Sequence, residues 1–133
     1  MRAFLLKALF IGLLLAPLAA IHLKAQGNPE VAKIQNPVAS TPESIAAGKR
    51  TFQRFCANCH GSNAEGGPGN VLILPAPDLT YKEWKHGSTD GEIFNTIKNG
   101  VPPEFNMAAW GEQGVKDQDI WNLVNYIRSV AKK

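Results

Sequence analysis

The sequence is poor in the side chains that build metal sites and disulfide frameworks. Its 133 residues include only two cysteines, Cys56 and Cys59, and three histidines. A structural zinc site takes four ligands, usually as two separated pairs, and the sequence has no second Cys/His pair. A redox Cys-x-x-Cys of the thioredoxin kind lies near a βαβ pattern, which the sequence does not show. A simple disulfide between the two cysteines stays open as an alternative.

The sequence also lacks a sustained excess of charge of either sign. The formal net charge is +3, but three basic residues precede Gln26 with no acidic residue among them: Arg2, Lys7 and Lys24. Without these three, basic and acidic residues balance at 11 each. No basic stripe or nucleic-acid-binding motif is present, so we expect no nucleic-acid partner.

The two cysteines belong to the segment Cys56-Ala57-Asn58-Cys59-His60, which reads Cys-x-x-Cys-His. This pattern is the attachment signature of a c-type haem. On a helical turn, residues i, i+3 and i+4 share one face, so Cys56, Cys59 and His60 can point the same way. Two thiols would then bond the haem vinyl groups as thioethers, and the imidazole would bind iron from one side.

Residues 1–25 have the features of a secretory signal. Arg2 and Lys7 form a positive n-region, and residues 8–20 are an apolar h-region of 13 residues. Cleavage is predicted after Ala25, with Ala20 as the second choice. An uncleaved anchor is the alternative, although a membrane-spanning helix needs about 20 apolar residues. We therefore expect export to the bacterial periplasm, where c-type haems are attached.

Turn and cap residues divide the remainder of the chain. Residues 26–40 contain two Asn-Pro steps and little apolar periodicity, which predicts a flexible, exposed linker. Thr41-Pro42-Glu43 predicts the start of a helix that runs to about Cys56. Within it, Gly48 costs about 1 kcal/mol relative to Ala, so we expect another helix to approach closely there.

Two further helices follow, and no sustained strand alternation occurs, so the predicted domain is all-α. Thr89-Asp90-Gly91-Glu92 predicts a capping box that opens a helix ending at Gly100. The last helix is predicted to start near Asp117. Its apolar residues recur at helical spacing, which predicts an outer face made of Asn122, Asn125 and Arg128. We expect residues 61–70 to be irregular, 71–74 to line a pocket, and 80–85 to form a short helical turn.

The iron needs a second axial ligand, and downstream of residue 25 only Met107 and His86 are candidates. Met107 lies in the loop between the last two predicted helices, where a non-helical backbone can bring one side chain onto iron. A methionine that only fills a gap in the core is the alternative. His86 stands beside Gly87 in a polar stretch and reads as an exposed histidine, so we predict Met107 as the ligand.

Together these residues resemble the class I c-type cytochromes over residues 41–133. Gly48 and Phe52 precede the haem motif, as in that family, and Pro77-Asp78-Leu79 is similar to its Pro-x-Leu segment. Met107-Ala108-Ala109-Trp110 resembles its ligand loop, although Ala108 replaces the common proline. The segment 123–128 is similar to the family's closing helix.

The resemblance implies a cytochrome c fold: three to five short helices around one covalently bound haem c with its iron. Cys56 and Cys59 would hold the haem, and His60 and Met107 would be the axial ligands. His60 would donate its other ring N–H to the carbonyl of Pro77, with Pro75 as the alternative.

The function implied is that of a periplasmic mono-haem electron-transfer protein, not an enzyme. It would be a monomer that carries single electrons between redox partner proteins, from a dehydrogenase or quinol-oxidising complex to a terminal oxidase or another acceptor. A balanced charge predicts docking by apolar contact more than by steering. Two alternatives stay open: a haem enzyme or gas sensor with a displaceable Met107, and a subunit of a dehydrogenase or terminal oxidase.

Overall fold

The structure is a computed structural model that describes residues 28–67, 75–101 and 107–132. Five α-helices lie within these ranges, in the order α1 (Pro29–Ala32), α2 (Pro42–Phe55), α3 (Ala57–His60), α4 (Asp90–Asn99) and α5 (Asp117–Val130). The described residues contain no strand, and their one β-bridge pairs Gly67 with Ala76.

Helix α2 begins where its cap residues predict. The Thr41 side chain accepts a hydrogen bond from the Ser44 N–H, and the Ser44 hydroxyl accepts one from the Thr41 N–H. Pro42 occupies the first turn, where its missing N–H costs nothing. The helix ends at Phe55, so the haem motif starts immediately after it.

The core lies where α2 crosses α5. A Cβ on Gly48 of α2 would stand 2.0 Å from the carbonyl oxygen of Asn122 on α5, so the predicted close helix approach is present. Next to this contact the rings of Phe52 and Tyr126 have centroids 5.1 Å apart. The largest fully buried side chains surround the crossing: Phe52, Ile120, Leu123 and Val124.

The predicted outer face of α5 is wrong at two of its three positions. Asn122 and Asn125 are buried, with 8% and 5% of their surface exposed. The Asn125 Nδ2 donates to the carbonyls of Val38 and Ala39 and to the Ser44 hydroxyl, at 3.1, 3.2 and 3.1 Å. The amide side chains of α5 need hydrogen-bond partners, and here the protein provides these partners instead of water.

The segment before α2 is largely exposed, but polar contacts attach it to the helical core. Asn36 Nδ2 donates to the Trp121 carbonyl at 3.1 Å and to the Asn125 Oδ1 at 2.9 Å. Helix α1 lies close to α4, because a Cβ on Gly91 would be 2.0 Å from the Val31 carbonyl oxygen. Because backbone carbonyls and amide side chains make these contacts, the apolar periodicity of the sequence does not predict them.

Helix α4 has the predicted capping box and ends at Gly100, whose φ is +71°. Ile93 and Ile97 of this helix are buried, and Arg128 of α5 donates to the Asp90 carboxylate at 2.8 Å. Residues 80–85 form turns and bends, not the predicted helical turn.

Residues 61–67 are irregular, as predicted. The predicted pocket wall at 71–74 and the predicted signal at 1–25 lie outside the described residues. Among the described residues, no helix has the length and apolar character needed to cross a membrane.

Candidate haem site

One cavity of about 690 Å³ gathers the residues that the sequence predicts to hold the haem and its iron. This volume falls in the range of about 300–1,000 Å³ that is usual for small-molecule and cofactor sites. Side chains from α2, α4 and α5 supply apolar walls, among them Phe52, Ile93 and Ile127. The predicted site residues on its lining are Cys56, Cys59, His60, Pro77 and Met107.

Two backbone hydrogen bonds hold the haem motif in a single helical turn. The Cys59 and His60 N–H groups both donate to the Cys56 carbonyl, at 3.1 and 2.9 Å. The two cysteine sulfurs are not bonded to one another. Burial, followed by the proximity of Cys59, raises the pKa of the Cys56 thiol to about 12.

The imidazole of His60 is fixed by one backbone group. It is buried, and its Nδ1 lies 3.1 Å from the Pro77 carbonyl oxygen. A carbonyl only accepts hydrogen bonds, so this partner assigns the proton to Nδ1 and leaves the Nε2 lone pair available. Burial lowers the pKa of His60, and the bond to Pro77 opposes that shift only in part. A neutral imidazole oriented in this way is suited to bind a metal.

The backbone beside Met107 is fixed to the end of α4. The Val101 N–H donates to the Met107 carbonyl at 3.2 Å, and the Trp110 N–H donates to the Ile97 carbonyl at 3.1 Å. A Cβ on Gly100 would stand 2.6 Å from the Met107 carbonyl oxygen, so this close approach requires glycine. The Met107 side chain is partly buried and packs against the core.

His86, the other ligand candidate, also lines the cavity, but its side chain is exposed. A partly buried thioether and a buried imidazole thus share one largely apolar cavity with two thiols. This donor set, one nitrogen and one soft sulfur, fits the axial positions of a haem iron. The two thiols fit its covalent attachment.

Comparison with known proteins identifies the family of this chain. Residues 43–127 match the family described as cytochrome c oxidase, cbb3-type, subunit III. The chain belongs to this family. It is a c-type cytochrome with covalently bound haem c and its iron, and its role is electron transport. The predicted all-α cytochrome c fold is therefore confirmed.

Members of the cbb3-type subunit family are among its relatives. The subunit CcoP of Rubrivivax gelatinosus is 32% identical over 120 residues, which are 87% of this chain and 34% of that protein. The subunit FixP of Bradyrhizobium sp. (strain ORS 278) is 44% identical over 85 residues, which are 64% of this chain and 27% of that protein. The chain thus spans about a third of the length of these relatives.

A solved structure gives the same fold. Cytochrome CL from Methylophaga aminisulfidivorans superposes with a TM-score of 0.57 at 26% identity, over 69% of this chain and 59% of that one.

Sequence reasoning missed several residues of the cavity wall in this cbb3-type family member. The rings of Phe55 and Trp110 have centroids 5.4 Å apart and line the cavity together. Trp84 also lines it, and its Nε1 donates to the Asp78 carbonyl at 3.3 Å. Trp110 belongs to the ligand-loop motif, so its position in the cavity wall could have been predicted from the sequence. Nothing in the sequence around Trp84 marks it as part of the site.

Proposed function

We propose that this chain is a mono-haem electron-transfer protein of the bacterial periplasm. Cys56 and Cys59 carry the two thioether bonds, and His60 and Met107 are the axial ligands. One observation carries the proposal: all four side chains border a single, largely apolar cavity.

The chain's own groups hold both ligands in place. The Pro77 carbonyl fixes the tautomer of His60, and the hydrogen bond from the Val101 N–H to the Met107 carbonyl holds the backbone at Met107. A haem held here supplies one-electron chemistry, because its iron alternates between ferrous and ferric states. If the His60 imidazole and the Met107 thioether both bind the iron, they would leave no coordination position for a substrate and would raise the reduction potential. The protein therefore acts as a carrier and does not transform a substrate.

The relatives favour a second, more specific role. Those compared above are named as subunits of cbb3-type cytochrome c oxidases, so this chain would deliver electrons within such a complex or to it. Extraction of native membranes with a mild detergent, followed by purification of this protein, separates the two roles. Oxidase subunits that co-purify in fixed proportion support a subunit, and recovery from the soluble periplasmic fraction alone supports a free carrier.

Spectra of the holoprotein test the ligand assignment. The ferric protein should be low-spin and show the methionine–iron charge-transfer band. Met107→Ala should lose that band, lower the reduction potential and let the ferrous protein bind carbon monoxide. His86→Ala is the matched control, since it removes the other candidate ligand, and it should leave the band intact.

A Met107→Ala protein with an unchanged spectrum and potential would overturn the assignment. So would a His86→Ala protein that loses the band. A wild-type protein that is high-spin and reacts readily with peroxide would indicate a haem enzyme instead.

A further inference from the structure

The last residue of α4 and the glycine after it form a chemically reactive pair. Asn99 ends the helix and is exposed, and Gly100 follows it as the C-cap. No other asparagine of the sequence precedes a glycine. Glycine has no side chain to hinder attack by its own backbone nitrogen on the preceding residue, so an asparagine before glycine is especially prone to deamidation. Asn28 and Asn36 precede prolines, which have no backbone N–H to react.

The reaction of this pair is an internal acyl transfer in which nothing is oxidised or reduced. The Gly100 amide nitrogen loses its proton to solvent base and forms a bond to the side-chain carbon Cγ of Asn99. The bond between that carbon and Nδ2 breaks, and Nδ2 takes up a proton and leaves as ammonia. Water then opens the cyclic imide at either of its carbonyls. One opening gives aspartate, and the other gives isoaspartate, in which the main chain runs through the former side chain and is longer by one methylene.

The hydrogen bonds of the helix end hold the pair back from this reaction. The Gly100 N–H donates to the Thr96 carbonyl at 2.9 Å, and the Asn99 Nδ2 donates to the Asn95 side-chain oxygen at 2.7 Å. In a helical backbone an N–H runs along the helix axis to its acceptor and not toward the preceding side chain. The last turn of α4 must therefore open before the ring can form.

The segment after α4 holds this last turn in place. We call residues 107–111 the ligand segment. Its Trp110 N–H donates to the Ile97 carbonyl at 3.1 Å, and its Gly111 N–H donates to the Lys98 carbonyl at 3.0 Å. Carbonyls in the last turn of a helix have no partner within the helix, so these two depend on the ligand segment. Opening the last turn breaks both bonds, and the turn and the segment therefore open together.

Gly100 itself lies against the backbone of the ligand segment. A Cβ on Gly100 would stand 2.6 Å from the Met107 carbonyl oxygen and 2.9 Å from the Ala109 nitrogen. The Val101 N–H donates to the same Met107 carbonyl at 3.2 Å. A methylene added to the main chain between Asn99 and Gly100 displaces these groups, and the close contact leaves no room for the shift. The new carboxylate also stands at the negative end of the α4 dipole, where an anion is unfavourable.

We propose that Asn99 is a deamidation site that reacts while the ligand segment is detached from α4, and that isoaspartate at this position prevents the segment from reattaching. The pair thus converts a reversible opening into a permanent change of the protein. The modification itself goes beyond the proposed carrier function and does not depend on it. Its effect on Met107 as an iron ligand rests on that function.

Peptide mapping and amide hydrogen exchange of the ferric holoprotein test the dependence on opening. Samples are aged in mildly alkaline buffer at graded, sub-denaturing urea, and mass spectrometry of the digested protein measures deamidation. Where urea speeds exchange of the Gly100 and Trp110 N–H groups about tenfold, deamidation of Asn99 should also speed up about tenfold, because both follow the open population. Asn63, which is exposed and lies outside α4, is the internal control, and its rate should change far less.

Two results of this experiment would overturn the proposal. One is a deamidation rate at Asn99 that does not rise with exchange of the Trp110 N–H. The other is a rate that rises with exchange of the Gly100 N–H alone, because the end of α4 would then fray while the ligand segment stays attached.

The aged products test the effect of the longer main chain. Chromatography separates the isoaspartate form from unmodified protein, and the variant Asn99→Asp is its matched control, with the same charge and an ordinary backbone. The isoaspartate form should exchange the Trp110 N–H about tenfold faster or more and lose the methionine–iron band. Asn99→Asp should keep both properties close to wild type, and Asn99→Ala should keep them throughout ageing. Wild-type exchange in the isoaspartate form would overturn the claim that the segment cannot reattach.

Met107→Ala separates this proposal from the proposed function. If Met107 binds the iron, its loss releases the ligand segment, so the variant should deamidate at Asn99 about tenfold faster or more, whereas His86→Ala should match wild type. An unchanged rate in Met107→Ala, with the urea dependence of wild type intact, would refute Met107 as the iron ligand and leave the deamidation site standing. An intact methionine–iron band in a protein whose Asn99 does not react upon opening would refute the deamidation site alone.

Discussion

Gly48 of α2 lies directly against the backbone of Asn122 on α5. A Cβ at Gly48 would stand 2.0 Å from the Asn122 carbonyl oxygen and 2.9 Å from the Cβ of Tyr126. The Asn122 carbonyl oxygen belongs to the backbone, so no side-chain rotation can relieve this contact. The distance between the two helices, and with it one wall of the haem cavity, therefore depends on the absence of a side chain at this position.

Gly48→Ala should destabilise the holoprotein by about 1–3 kcal/mol through overpacking. In an open helix the same change would stabilise by about 1 kcal/mol. Guanidinium unfolding gives the sign. Ala46→Gly, at an exposed position of the same helix, is the control and should cost about 1 kcal/mol. A more stable Gly48→Ala protein would contradict the close helix approach.

Asn125 should tolerate neither an apolar nor an acidic replacement. Its amide donates to Val38, Ala39 and Ser44 and accepts from Asn36. Asn125→Leu removes these bonds and should cost about 1–3 kcal/mol in total, because Ala39, Ser44 and Asn36 keep other hydrogen-bond partners. Asn125→Asp places a carboxylate against two carbonyl oxygens and should be worse at neutral pH.

The control for Asn125 is Asn99→Ala on the exposed end of α4, where a surface change should stay within about 0.5 kcal/mol. Equal stabilities of Asn125→Leu and wild type in urea unfolding would show that the network contributes nothing.

The carboxylate of Glu92 should make stability depend on acid pH. It accepts hydrogen bonds from the Thr89 N–H and hydroxyl and from the Ser88 N–H, at 2.9, 2.8 and 3.0 Å. Burial raises the pKa of Glu92, but these bonds outweigh burial and hold it below the usual value of 4.5. A pKa lowered by folding contributes stability that is fully present above the unfolded-state value. That stability is lost as pH falls through the folded-state pKa.

Unfolding free energies measured between about pH 6 and about pH 3 should therefore fall more steeply for wild type than for Glu92→Gln. Glu112→Gln, at an exposed residue between α4 and α5, should keep the wild-type slope. Parallel curves for wild type and Glu92→Gln would rule out this contribution.

Cys56 and Cys59 should each contribute one thioether bond to the haem, and single substitutions should remove these bonds one at a time. Cys56→Ala and Cys59→Ala each remove one thioether, so each variant should mature poorly and keep at most one bond to the haem. The double variant should release all its pigment when denatured in acid. Mass spectrometry of the acid-treated polypeptide counts what stays attached. Release of haem from the wild-type polypeptide would contradict covalent attachment.

Local signals predicted helices α2, α4 and α5, but they did not predict the short helix α1. Thr41 and Thr89 cap helices through bonds to residues three positions away, and such bonds are visible as sequence patterns. The turn at Cys56–His60 is equally local. Gly48 indicated a close contact between helices, because glycine destabilises a helix interior and is expected there only where a side chain would not fit.

Long-range polar contacts were not predictable in this way. Asn36 bonds Asn125 across 89 positions of sequence, and no periodicity links the two. The contact between His60 and Pro77 spans 17 positions, and it was expected only from family resemblance. The reading of Asn122 and Asn125 as solvent-facing failed because a buried amide and an exposed one look alike in sequence.

The contact of residues 28–40 with α4 and α5 bears on how the protein is produced for study. A recombinant fragment that starts at Thr41 keeps both haem thiols but removes the carbonyls of Val38 and Ala39 and the amide of Asn36. It would open the polar interior around Asn125 to water. A fragment that begins before Asn28 keeps those partners. The smallest fragment with the native interior is therefore longer than the one that the predicted helices would suggest.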